Sequence, residues 1–93
     1  MYTKALANGS HAAGRGTIAK EMYQYVIGTY NTDNKNATFI IGNGTDDADD
    51  ERSNLFEVGQ DTTGAFLTIG STKIYEEQLQ KLLLLLNNDY YIL

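Results

Sequence analysis

A chain of 93 residues without cysteine, proline or tryptophan is one domain at most, near the size at which a lone core is only marginally stable. Its composition excludes disulfides and thiolate metal sites, which leaves oligomerisation as the route to further stability. A formal charge of −5, with only 7 Lys and Arg, argues against nucleic acid and against an anionic membrane surface as partners.

The opening stretch "MYTKALANGS" lacks the long apolar region of a signal peptide, and residues 1–9 are read as an N-terminal anchor segment. From residue 10 the chain repeats itself. Gly14, Gly28 and Gly42 recur every 14 residues, and each closes a short run: His11-Ala12-Ala13, Tyr25-Val26-Ile27 and Phe39-Ile40-Ile41. Stacked turns of a coil would place Ala12, Val26 and Ile40 in one column and Ala13, Ile27 and Ile41 in the next. Each turn then buries the face its neighbour exposes. Glycine suits the end of each run, because a strand bending into a corner needs positive φ and close backbone approach. The later half of each unit keeps no pattern, since Ile18, Thr32 and Asp46 share a column. Residues 10–52 are assigned to a β-roll.

The third turn carries Asp46, Asp47, Asp49, Asp50 and Glu51, bunched rather than alternating as a calcium loop requires, so a solvated surface loop is expected. From Asn54 the pattern changes to two short apolar strands, "NLFEV" and "AFLTI", joined by "GQDTTG". This predicts a β-hairpin with a longer loop within residues 53–72, ended by Gly70-Ser71-Thr72. Residues 73–93 begin with a helix, with Glu76 and Glu77 in its first turn and Asn87-Asn88 as its stop. Tyr75, Leu79, Leu82 and Leu86 follow the spacing of a coiled-coil seam, and Ile74 with Leu79 would form a hydrophobic staple. A helix of about three turns is too short to stand alone in water, so several copies are expected to bundle. The run Leu82–Leu86 is far too short to span a bilayer, and the apolar tail "NDYYIL" is expected to dock on another surface.

With these elements in place, the segments "NGSHAAGRGT", "YVIGTYN", "FIIGNGT", "ERSNLFEVGQDTTG" and "STKIYEEQLQKLLLLL" resemble the C-terminal regions of tailed-phage fibre and appendage proteins, over roughly residues 8 to 86. The 14-residue turn is also similar to that of trimeric adhesin heads. Tyr75 stands where those phage proteins usually carry Thr, which removes the side-chain oxygen of a capping box and costs about 1 kcal/mol. Beginning at Met1 with no long shaft, the chain looks most like a short head-fibre protein that decorates a capsid. The resemblance implies a mainly β fold with a C-terminal helix: an intertwined trimeric β-roll, a short hairpin, and a three-helix bundle built on Leu79, Leu82 and Leu86.

The implied function is non-enzymatic, a homotrimeric fibre or spike of a virion assembled in the host cytoplasm. It would attach to capsid or other virion proteins through residues 1–9 or the "NDYYIL" tail. A host surface glycan could stack on tyrosines, but tyrosine is also what a trimer interface uses, and the interface is the preferred reading. The first alternative is a tail fibre or receptor-binding module. The second is a self-cleaving intramolecular chaperone, because Arg52, Ser53 and Asn54 match that region of some phage appendages. No catalytic, metal or cofactor residues are assigned. His11 is the only histidine and reads as a repeat-position side chain, and "GRG" and "GNG" do not extend to a dinucleotide loop. Asn8, Asn36 and Asn43 match glycosylation triplets but read as turn residues.

Overall fold

The computed structural model describes residues 2–92, and its first feature is a coil whose corners recur every seven residues. Tyr2 (φ 54°), Gly9 (69°), Gly16 (65°), Tyr23 (61°) and Tyr30 (34°) all bend in the left-handed region. Each is followed by a polar residue: Thr3, Ser10, Thr17, Gln24 and Asn31. Thr17, Gln24 and Asn31 are buried, because their side chains bond the backbone groups that a corner leaves unpaired. Thr17 donates from Oγ1 to the Ala13 carbonyl at 2.9 Å. Gln24 accepts from the Lys20 and Glu21 amides and donates to the Asn34 and Ala37 carbonyls.

Between corners the chain extends, so one full turn contributes two short strands. β1 (Lys4–Ala5) pairs in parallel with β3 (Ile18–Ala19) on one side of the coil. On the other side, β2 (His11–Ala12), β4 (Tyr25–Thr29) and β5 (Ala37–Asn43) stack in parallel, pairing His11 with Tyr25 and Tyr25 with Phe39. The interior between the two sides holds Ala19, Val26, Ala37 and Ile40, with Ala12 packed against them. The smaller sheet stops at two strands because Asn31 takes the place of a third. Its amide accepts from the Ile18 N–H at 2.7 Å and donates to the Ile18 carbonyl at 3.0 Å.

The chain then reverses through a 3₁₀ turn at Asp49–Glu51. β6 (Asn54–Asp61), β7 (Gly64–Ile69) and β8 (Thr72–Tyr75) extend the larger sheet as an antiparallel meander, in the order β2-β4-β5-β6-β7-β8. α1 (Glu76–Ile92) follows directly.

Several expectations are corrected. The roll is not intertwined: its turns stack on one another within one chain, because the next turn is only 14 residues away and supplies the partner strand. The three-helix bundle is not present, since the described residues contain the single helix α1. The hairpin turns over only two residues, Thr62 and Thr63, and Gly70-Ser71 leads into a third strand rather than ending the sheet. α1 runs to Ile92 instead of stopping at the two asparagines, and the docking expected of the tail rests on side chains outside the described residues.

Candidate interaction surface

Side chains alternate across a strand, so the register fixes what each face of the six-stranded sheet presents. Val26 and Ile40 point into the coil. Their neighbours point outward and line up across all six strands. One column runs His11, Tyr25, Phe39, Val58, Leu67, Ile74. The next runs Ile27, Ile41, Phe56, Ile69, Thr72 from β4 onward. Neither column contains Lys, Arg, Asp or Glu. Tyr25, Val58 and Ile69 remain 45%, 39% and 60% exposed, and Ile27, Ile41, Phe39, Phe56, Leu67 and Ile74 are half-buried.

The rings at one end of this face form a ladder. His11 stacks on Tyr25 at 4.4 Å between centroids and 10° between planes, and Tyr25 stacks on Phe39 at 5.9 Å. Phe56 meets Phe39 edge-on at 6.4 Å. Both ring faces of Tyr25 are therefore occupied, so a sugar would find only its edge. At the other end, Val58, Leu67 and Ile74 share a groove with Leu79 of α1, which Ala65, Phe66, Tyr75 and Glu76 also line. Ile74 and Leu79 thus stand together as the sequence suggests. The Gln78 side chain accepts from the Tyr75 amide at 2.9 Å, which keeps the half of a capping box that does not need threonine.

Beyond Leu79, α1 leaves the body of the protein. Leu79, Leu82, Leu83, Leu84, Leu85 and Leu86 are between 40% and 59% exposed. Successive helical residues are 100° apart, so five leucines in a row present apolar surface on every side. Apolar surface of this extent marks a contact site.

The glycine column marks a close approach of stacked backbones rather than a corner, since Gly28 and Gly42 pair with each other inside β4 and β5 and Gly42 has no positive φ. Gly14 and Gly28 have φ of 102° and 96°, and a Cβ on either would lie 2.1 Å from the Gly28 carbonyl or 2.3 Å from the Gly42 carbonyl. The anticipated repeat residues split between two roles: Val26 and Ile40 fill the coil, whereas Ile27 and Ile41 face outward.

The polar clusters hold the frame. Arg52 is largely buried and donates to the Gly16 and Asn31 carbonyls, the Asp47 carbonyl and the Asp47 carboxylate, with Tyr30 beneath its guanidinium. It clamps the exposed acidic loop over the coil. Ser53 donates to Asn43 Oδ1 at 2.5 Å, and Asn54 bonds both Thr32 backbone groups and Glu57. The three residues matched to a self-cleaving segment are thus tied into the β5–β6 reversal.

Asp61 accepts from Tyr75 Oη at 2.7 Å and from Lys73 Nζ at 3.1 Å. The Tyr75 hydroxyl above all, then the Thr63 amide and Lys73, hold its carboxyl down at about 2. Tyr75, and then Asp61, raise the Lys73 ammonium above its ordinary value, while the Phe66 ring lies 4.1 Å beneath it. The neighbouring Asp33 carboxyl, above all, raises the Glu21 carboxyl pKa above its ordinary value. Among the described residues, no group of three or more His, Asp or Glu is placed to share a metal.

Sequence reasoning missed the seven-residue corner period and the meander's part in the outer face. The first left one signal, the polar residue directly after each of Tyr2, Gly9, Gly16, Tyr23 and Tyr30, masked where tyrosine stands in place of glycine; the second depends on strand register. No family model, curated protein or solved structure matches the chain.

Proposed function

We propose that this chain is a non-enzymatic structural protein of a phage virion, a short homotrimeric fibre or spike attached to the capsid. The observation that carries the reading is the uninterrupted apolar outer surface, from His11 across six strands to the leucines of α1. A chain of this size with so much apolar surface turned outward gains its stability by assembly. The elongated body, 53 × 26 × 18 Å, suits a projecting element. The ordered set of segments that resemble phage appendages supplies the setting.

Antibodies against the purified chain, used for immunogold labelling of virions from the phage that encodes it, test the assignment. Gold on the head is the expected result. Gold confined to the tail would replace the capsid reading with the tail-fibre one, and unlabelled, chain-free virions would refute both.

A further inference from the structure

We infer that the outer face of the six-stranded sheet is the contact between copies of this chain, each laying the columns His11–Ile74 and Ile27–Thr72 against a second copy. The inference rests on the homotrimer reading above and names its contact face. Two observations select a second copy as the occupant.

The first is charge. The chain carries a net −5, yet the two columns hold no Lys, Arg, Asp or Glu, and their one titratable side chain besides tyrosine, His11, is stacked on Tyr25 at the far edge. Burying an unpaired charge against this face is costly, so its partner must present an equally uncharged, gently twisted apolar strip. The strip itself meets that description, and three copies can turn this one face toward a shared three-fold axis, so that each strip meets those of both neighbours.

The second is the meagre interior. The buried apolar side chains among the described residues are Ala19, Val26, Ala37, Ile40 and Phe66. Such a core is small for a chain of this length, so further burial has to be present whenever the chain is folded. A second copy is present wherever the chain itself is made.

The experiment uses the full chain and its freedom from cysteine. Val58→Lys with Ile69→Lys places two cations on the strip at positions already 39% and 60% exposed, which a single folded chain tolerates. Sedimentation equilibrium at micromolar concentration should give a trimer for the parent. The double variant should be monomeric, with dissociation strengthened at least about 100-fold and an unchanged far-UV circular dichroism spectrum. Leu6→Lys with Met22→Lys, exposed positions outside both columns, should remain trimeric.

A second readout serves if the double variant fails to fold. The thiol of I69C should react with a maleimide at least about 10-fold more slowly than the thiol of M22C. Equal labelling rates would overturn the inference. So would a trimeric Val58→Lys/Ile69→Lys variant beside a monomeric Leu83→Lys/Leu84→Lys variant, which would keep the trimer but move its contact to α1. A monomeric parent would overturn both this inference and the homotrimer reading.

Discussion

Gly28→Ala puts the close approach of the stacked turns to a quantitative test. The new methyl group would lie 2.3 Å from the Gly42 carbonyl oxygen, where ordinary contact begins at 3.4 Å, so the two turns must separate by roughly 1 Å. Gly28 also holds φ at 96°, outside the range that alanine adopts freely. The conformational part costs about 1–2 kcal/mol and the overpacking about 1–3 kcal/mol. Gly70→Ala is the matched control, since Gly70 has φ of 60° and nothing within 4 Å of an added Cβ. It bears the conformational cost alone, so the difference between the variants isolates the close approach. That difference should be roughly 5–20 °C in Tm, at about 4–8 °C per kcal/mol for a domain of this size. Thermal melts followed by circular dichroism should be run at one protein concentration, because assembly makes Tm depend on it. If Gly28→Ala melts within two or three degrees of Gly70→Ala, the close-approach account of the 14-residue repeat is wrong.

Asn31→Ala removes the amide that stands in for a missing strand; it should cost about 2–3 kcal/mol in chemical denaturation and speed hydrogen exchange at the Ile18 amide. Gln24→Met keeps the volume but strands two amides and two carbonyls inside the coil, and should cost at least as much. Tyr75→Phe deletes the main donor to Asp61, whose folded-state pKa of about 2 lies below its ordinary 3.8. A lowered carboxyl pKa contributes stability above about pH 4 that is lost as pH falls toward 2. In the variant, NMR titration should show the Asp61 carboxyl moving up toward 3.8, and acid unfolding should begin at higher pH; an unmoved Asp61 titration would contradict the assignment. Arg52→Lys keeps the charge but not the fork that reaches three carbonyls and Asp47, so limited proteolysis should cut between residues 45 and 51 faster than in the parent.

The 14-residue recurrence was legible because glycine has few reasons to sit at fixed intervals beside apolar pairs, and a close backbone approach is one of them. The seven-residue corner was obscured by chemistry: Tyr23 and Tyr30 occupy left-handed positions where glycine is the ordinary choice, and their rings lie over Gly9 and Gly16 of the preceding turn. The meander was half-legible. "NLFEV" and "AFLTI" read as strands, but "TKIY" is short and runs into a helix, so its pairing with β7 is a tertiary fact. The bundle failed for a different reason. Spacing of Leu79, Leu82 and Leu86 describes a stripe, whereas Leu83, Leu84 and Leu85 beside them make the exposed helix apolar on all sides.

Which residues form the outer face is settled by pairing, and the pairing changes character halfway across. From β2 to β5 the strands are parallel, and the columns recur because the sequence recurs every 14 residues. From β5 to β8 they are antiparallel and the sequence repeat has ended, with register shifts at both ends of the β5–β6 ladder. A one-residue slip sends every side chain to the opposite face. Yet Phe39 is followed across the reversal by Val58, Leu67 and Ile74, and Ile41 by Phe56 and Ile69. The interior does not continue in the same way, since Ile40 is followed there by Glu57, Thr68 and Lys73. The coil and the meander therefore share no repeat and no core, and what they have in common is one apolar face turned outward. A surface kept continuous through a change of topology is the property expected of a contact, and it is the reason to place the first disrupting charges at Val58 and Ile69, in the half where no repeat would have put leucine-like side chains by default.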